Sequence, residues 1–173
     1  TERVQTLATL GLLPKARTEL AEFRQQANLA AEMLPGLARL QQLAGDQHGA
    51  IVTFHRNRPS EINQDNLIFW QLGFPRPYAE LFSQYSKLNN PPEALMLSLA
   101  KAESSFRADV KSHAGAIGLM QLMPATAKMT AGYKGKNYNQ LWLIEPEYNI
   151  KLGTKHFSDL IRQQDGDLVY CLA

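Results

Sequence analysis

Apolar residues return every three or four positions along much of this chain, and this spacing constrains the fold more than any other feature. Between Ala16 and Ala30 they stand at positions 16, 20, 23, 27 and 30, which places them on one face of a helix. No segment alternates apolar and polar residues for long enough to predict a half-buried strand. The sequence therefore predicts an all-α fold.

Proline and glycine residues divide the helical pattern and predict its domain organisation. Breaks at Pro14, Pro35-Gly36 and Pro59 leave short helices joined by tight turns, which is typical of a bundle or a superhelical array. Pro75 and Pro77 then fix the backbone at a rigid boundary. We therefore expect a helical region over residues 1–74 and a second domain over residues 75–173.

Composition excludes several classes of protein. The 173 residues are 45% apolar and 20% charged, as in ordinary globular proteins, and no apolar run approaches the length of a membrane span. The net charge of +2 is scattered rather than gathered into a basic stripe, so we expect no nucleic-acid partner. The single cysteine, Cys171, excludes a cysteine-based zinc cluster, and the four histidines lack metal-ligand spacing. We expect neither a metal nor another cofactor.

Glu103 is the residue best placed to carry chemistry. Leu95, Leu99 and Glu103 are spaced i, i+4 and i+8, so the carboxyl continues the apolar face of a predicted helix. Burial there, together with the negative end of the helix dipole, would favour the protonated carboxyl. Cleavage of a glycosidic bond needs such a general acid. For an isolated glutamate, a solvated position at a fraying helix end is the commoner alternative.

Four blocks of residues follow one another from this glutamate onward. They are Glu103-Ser104, Gly118-Leu119-Met120-Gln121, Leu122 to Ala127, and Glu145 to Gly153. In type and order these blocks resemble the soluble lytic transglycosylases, whose family-1 SLT domain is related to goose-type lysozyme. The resemblance covers about residues 75–173. It implies a lysozyme-like catalytic domain, incomplete at its C-terminus because the family's Ala-Tyr-Asn block would follow Ala173, preceded by a region that resembles the family's helical superhelix.

The resemblance implies an enzyme, a carbon-oxygen lyase acting on polysaccharide. It would be a peptidoglycan lytic transglycosylase that cleaves the β-1,4 bond between MurNAc and GlcNAc and forms 1,6-anhydromuramyl products. Glu103 would protonate the leaving oxygen and then take a proton from the muramyl C6 hydroxyl, while the substrate's N-acetyl group assists. The implied partner is the peptidoglycan glycan strand in the periplasm or cell envelope. Partners in cell-wall synthesis or remodelling are not identified by the sequence.

A substrate-binding set around Glu103 is also implied by the resemblance. Ser112 and Gln121 match cleft positions whose polar groups could bind acetamido or hydroxyl groups, and the two methionines could contact a sugar face. Structural alternatives are local capping for Ser112, a solvent-facing position for Gln121, a core position for Met120 and a turn for Gly118. The full set comprises Ser104, Ser112, Gly118, Met120, Gln121 and Met123.

Two other functions stay open at this stage. A lysozyme-like muramidase would use water in place of the C6 hydroxyl. A two-carboxylate glycosidase needs an acidic partner, and the nearest acid in sequence, Asp109, has no helical spacing that aims it at Glu103, which favours transglycosylation. The other alternative is a non-catalytic helical scaffold that binds glycan, which the N-terminal helical region alone would support equally well.

Overall fold

Helices form almost all of the regular structure in the computed structural model, which describes residues 2–26, 29–135 and 138–172. Across these residues β pairing is limited to isolated antiparallel bridges of Ile117 with Lys111 and with Leu122. The predicted all-α fold is confirmed. The helices are α1 Glu2–Thr9, α2 Leu13–Gln26, α3 Leu34–Leu43, α4 Gln47–Asn57, α5 Leu67–Gly73, α6 Ala79–Asn89, α7 Glu93–Ser104, α8 Pro124–Thr130, α9 Pro146–Gln163 and α10 Leu168–Leu172, with short 3-10 helices at Ala31–Met33 and Gln140–Ile144.

The chain divides into two compact units, Thr1–Pro75 and Arg76–Ala173. In the first unit, the apolar face observed on α2 is shorter than the face that the sequence predicts. Ala16 and Leu20 are buried and Phe23 packs against their cluster, but α2 ends at Gln26. Position 27 lies outside the described residues, and Ala30 is exposed. The face therefore extends over only about two turns of the helix.

A second core in this unit surrounds one aromatic ring. Phe54 is fully buried, and the rings of Phe69 and Trp70 meet it edge-on at centroid distances of 5.3 and 5.1 Å. A Cβ added at Gly73 would overlap the Phe54 ring, so only glycine allows α5 to end against it. Such edge-to-face pairs stabilise beyond the area that they bury.

The second unit is organised by α9, an 18-residue helix with one buried face. Tyr85 on α6 donates a hydrogen bond to Glu147 Oε1 at 2.8 Å, and Asn89 Nδ2 donates to Thr154 Oγ1 at 2.9 Å. Helix α8 is joined to α9 by Lys155 Nζ, which donates to the Thr130 carbonyl at 2.6 Å. Within the part of the chain that the structure describes, no helix is long and apolar enough to cross a bilayer.

Candidate active site

Helix α7 carries Glu103 in its last turn and ends abruptly one residue later. Ser105 and Phe106 both have left-handed backbone conformations, with φ of 50° and 63°. The Ser105 N–H closes the helix by donating to the Lys101 carbonyl at 3.0 Å. Two consecutive non-glycine residues in this region are uncommon and carry a conformational cost. The backbone therefore leaves the helix at a fixed point directly after Glu103 and Ser104.

The Glu103 side chain is exposed, so the burial predicted for it is wrong for this chain. Leu95 and Leu99, which share its face, are only half-buried. The buried face of α7 instead runs through Met96, Ala100 and Ser104, the neighbouring i, i+4, i+8 row. Apolar residues occupy both rows, and tertiary packing selects the second one. Glu103 consequently lies beside the core, with its carboxyl open to solvent.

Ser104 ties the end of α7 to the second sequence block. Its side chain is 2% exposed, and its Oγ donates to the Leu119 carbonyl at 2.8 Å while lying 3.1 Å from the Ala100 carbonyl oxygen. Leu119 is fully buried. This hydroxyl bonds within the protein, so it holds the Glu103 helix against residues 118–121. The Glu-Ser pair thus combines an exposed carboxyl with a buried anchor.

The turn from Gly118 to Gln121 depends on a glycine. Gly118 has φ of +82°, and a Cβ at this position would overlap the Leu143 carbonyl oxygen and the Asn149 side chain. Gln121 is also left-handed, with φ of 45°, and its backbone N–H donates to the Gly118 carbonyl at 3.1 Å. The Gln121 side-chain amide is half-buried and donates to the same carbonyl at 2.8 Å. This side-chain hydrogen bond therefore stabilises the turn.

Asn149 on α9 also stabilises this turn, through hydrogen bonds to its backbone. It is fully buried, and its Oδ1 accepts the Met120 N–H at 2.8 Å. Its Nδ2 donates to the carbonyls of Ile117 at 3.0 Å and Leu143 at 2.8 Å. The Glu145 to Gly153 block belongs to the motif set, but the sequence motif by itself gives Asn149 no role. The available signal was a polar amide within the apolar row of an amphipathic helix, where burial requires hydrogen-bond partners.

The remaining predicted residues divide between core and surface. Met120 is 9% exposed and packs against α9 at Gly153, where an added Cβ would overlap its sulfur. Met123, in contrast, is 42% exposed. Ser112 is half-buried, and its Oγ accepts the Ala116 N–H at 3.0 Å, which is the local capping contact considered from the sequence. Hydrogen bonds thus join the Glu103 helix to the Gly118–Gln121 turn, whereas Ser112 bonds within its own loop.

Two ionisable groups, one on α7 and one facing Asp109 in the loop after it, have shifted pKa values. Burial lowers the pKa of Lys101, two residues before Glu103. Burial and the charge of Asp109 raise the pKa of Tyr78. Asp109 itself is exposed. Over residues 2–26, 29–135 and 138–172, no group of three or more His, Cys, Asp and Glu side chains could hold a metal ion.

Comparison with known proteins decides the family. The model of the family described as "Transglycosylase SLT domain" matches residues 80–173, more than half of the chain. This chain belongs to that family. The resemblance inferred from the motifs is therefore confirmed, and the match includes Glu103, the Gly118–Gln121 turn and α9 of this SLT domain.

Individual relatives share part of the chain or its fold. A soluble lytic murein transglycosylase of Salmonella typhimurium is 33% identical over 106 residues, which are 58% of this chain and 16% of the relative. Lytic transglycosylase Slt from Pseudomonas aeruginosa, solved as an inactive mutant, matches 99% of this chain with a TM-score of 0.72 and 26% identity. A 70-kDa soluble lytic transglycosylase in complex with bulgecin A matches 98%, with a TM-score of 0.74 and 26% identity. The chain covers 26% of each of these two structures.

Proposed function

We propose that this chain carries the acid–base site of a peptidoglycan lytic transglycosylase, with Glu103 as the catalytic residue. The observation that carries the proposal is the 2.8 Å hydrogen bond from Ser104 Oγ to the Leu119 carbonyl. This bond fixes an exposed carboxyl beside a braced turn that contains the second motif of the SLT family. The relatives named as lytic murein transglycosylases support the same activity, although the chain spans only 16% of the Salmonella protein.

The reaction needs only one carboxyl. Glu103, protonated, gives its proton to the glycosidic oxygen between MurNAc and GlcNAc as the C1–O bond breaks. The resulting carboxylate then takes the proton of the muramyl C6 hydroxyl while the C6 oxygen bonds to C1, which closes a 1,6-anhydro ring without water. One group thus acts first as general acid and then as general base.

Bound glycan would supply the burial that the chain alone does not give to Glu103. Its carboxyl is exposed in the chain itself. A sugar ring laid over it would exclude water, and the loss of solvation favours the neutral acid. Substrate binding would therefore place this carboxyl in a site shielded from water, beside the bond that it is proposed to cleave.

The other residues of the set divide into contact and support. Met123, exposed in the third block, is proposed to contact a sugar face, with Ser112 and Gln121 supplying polar groups. Ser104, Gly118 and Met120 are buried and are proposed to shape the turn. Residues 75–173 would form the catalytic domain and residues 1–74 a superhelical array. The cell envelope, and within it the periplasm, is the expected location, because peptidoglycan lies there.

Loss of turbidity in a cell-wall suspension tests the proposal. Glu103→Gln in the full-length protein keeps the shape of the side chain but cannot deliver a proton, so clearing should slow by at least about 10²- to 10⁴-fold. Glu80→Gln changes an exposed glutamate in the first turn of α6 and serves as the matched control. If the wild type clears no faster than buffer alone, a non-catalytic glycan-binding scaffold is favoured instead. If Glu103→Gln clears as fast as the wild type, Glu103 is not the catalytic acid.

A further inference from the structure

One peptide unit of the second motif is held at both ends by side chains from different helices. The carbonyl of Leu119 accepts a hydrogen bond from Ser104 Oγ, at the end of α7, at 2.8 Å. The N–H of Met120 belongs to the same peptide plane and donates to Asn149 Oδ1 on α9 at 2.8 Å. A trans peptide is planar, and its C=O and N–H point in opposite directions. The Leu119–Met120 peptide therefore links the end of α7, directly after the proposed acid, to α9.

The amide of Asn149 is a fixed partner for this peptide. It is fully buried, and its Nδ2 donates to the carbonyls of Ile117 at 3.0 Å and Leu143 at 2.8 Å. Carbonyl oxygens only accept hydrogen bonds, so the NH₂ group must face them and Oδ1 must face the Met120 N–H. Both amide protons are used, and the acceptor cannot turn away from the peptide.

Helix α9 also holds the side chain of Met120. Gly153 follows Asn149 by four residues, so the two lie on one face of α9 in consecutive turns. A Cβ at Gly153 would overlap the Met120 sulfur, so the methionine packs directly on the helix backbone. Met120 is thus held by α9 through both its N–H and its side chain.

Ser104 has one hydroxyl proton and two carbonyls within reach of it. Its Oγ lies 2.8 Å from the Leu119 carbonyl oxygen and 3.1 Å from that of Ala100, in its own helix. The side chain is 2% exposed, so bulk water does not compete for this proton. If the Leu119 carbonyl moved away, the proton would pass to Ala100 and α7 would lose its bond to the turn. The placement of the adjacent Glu103 therefore depends on where this peptide is held.

We propose that Asn149 is a positioning residue for the proposed acid–base reaction. By accepting the Met120 N–H, it keeps the Leu119 carbonyl within reach of Ser104. That bond in turn fixes the end of α7, where Glu103 stands. The inference rests on the proposed function, because it concerns the placement of the carboxyl that this function uses. A displacement of about 1 Å at a reacting group can cost about 100-fold in rate.

Turnover of soluble, uncross-linked peptidoglycan strands by the full-length protein separates positioning from stability. Asn149→Ala should lower kcat about 10- to 100-fold and raise KM no more than about threefold, because the acid is displaced while the exposed contacts to glycan remain. Rates are expressed per folded molecule, with the folded fraction taken from urea denaturation. The matched control is Ile150→Ala on the same helix, since Ile150 is also fully buried and its truncation also destabilises the domain. Its kcat per folded molecule should stay within about twofold of the wild type.

A double substitution shows whether Asn149 acts through Ser104. Ser104→Ala removes the other end of the link and should lower kcat by a similar factor. Losses at independent positions multiply, whereas losses at residues that act through one another do not. The double variant should therefore lose no more than about threefold in kcat beyond the more impaired single variant.

Asn149→Asp is the conservative variant, and it decides the question if Asn149→Ala does not fold. Its carboxyl can still accept the Met120 N–H but lacks at least one of the two amide donors. In mildly acidic buffer, where its stability deficit should be smallest, its kcat should stay within about threefold of the wild type. Recovery of kcat without full recovery of stability is not expected of a residue that serves stability alone.

Three results would overturn the positioning role. They are a kcat for Asn149→Ala as high as that of Ile150→Ala, fully multiplied losses in the double variant, and a loss in Asn149→Asp as large as that in Ser104→Ala. If Glu103→Gln is inactive while the Asn149 variants keep their kcat, the positioning role alone fails. If Glu103→Gln retains wild-type turnover, the proposed function fails instead.

Discussion

Replacement of Asn149 tests how the Gly118–Gln121 turn is held. Asn149→Ala removes the partner of the Met120 N–H and of the Leu143 carbonyl, which lie 2.8 Å from the amide. The Ile117 carbonyl keeps a second partner, the Leu122 N–H at 3.1 Å. Each buried group left unpaired costs about 1–3 kcal/mol, so the variant should lose about 2–6 kcal/mol of unfolding free energy. Domains are typically stable by about 5–15 kcal/mol, so this loss is a large fraction of the total free energy of unfolding. A domain in the upper part of that range stays folded after the substitution.

Urea denaturation measures this loss, and amide hydrogen exchange locates it. The Met120 N–H should exchange much faster in Asn149→Ala than in the wild type, because the Asn149 Oδ1 that accepts it is gone. Asn89→Ala is the control: it removes one bond between α6 and α9, to Thr154, and should cost only about 0.5–1.5 kcal/mol. If Asn149→Ala costs no more than Asn89→Ala and the Met120 amide stays protected, Asn149 does not hold the turn.

Asn149→Asp adds a pH dependence with a definite sign. The introduced carboxyl can still accept the Met120 N–H, but as a carboxylate it presents oxygen to the carbonyls of Ile117 and Leu143. Burial disfavours its charge, so its folded-state pKa should lie above the unfolded value of about 3.9. The stability deficit should therefore grow as the pH rises from about 3.9 through the folded-state pKa, and should be smallest in acid. A deficit that shrinks with rising pH would contradict this account.

Two further substitutions probe the same unit. Gly118→Ala adds a Cβ that overlaps Leu143 and Asn149 at a φ of +82°. The control is Gly132→Ala, where φ is +64° and no atom lies within 4 Å of the added Cβ. The backbone cost of about 1–3 kcal/mol is common to both variants, so urea denaturation should show a larger loss of unfolding free energy for Gly118→Ala. Burial lowers the pKa of His156 from 6.5 despite the opposing charge of Asp159. The unfolded chain therefore binds this proton more readily, and unfolding free energy should fall as the pH drops below about 6.5, with a shallower fall in His156→Gln. Identical pH slopes for the two proteins would exclude His156 as the cause.

The helical fold and the location of the motif residues could be predicted because they depend on local signals. Pro91 and Pro92 precede α7 directly, and the helix ends within one residue of Glu103. Gly118 in the second block signals a turn, and its positive φ agrees. Chain stiffness and backbone conformation are properties of neighbouring residues, so they can be read from a short stretch of sequence.

The buried face of α7 could not be predicted in the same way. Apolar residues occur on both of its candidate faces, represented by Leu95 and Met96, and only packing against the rest of the unit selects the second. The partners of Asn149 could not be predicted either, because they lie up to 32 residues away along the chain. The edge-on contacts of the Trp142 ring with Tyr133, Tyr138 and Tyr148 join residues of a segment whose apolar residues follow no clear period. Each of these features depends on long-range contacts that no short stretch of sequence contains.

The products released from purified peptidoglycan test the central claim most directly. Full-length wild-type protein and Glu103→Gln are each incubated with peptidoglycan. The masses and yields of the soluble muropeptides that they release are compared by mass spectrometry. The account predicts muropeptides that lack one water, as 1,6-anhydro ends require, and a yield from Glu103→Gln lower by at least about 10²-fold. Products that retain the water would identify a hydrolase. A Glu103→Gln yield above about a tenth of the wild-type yield would show that Glu103 is not the catalytic acid.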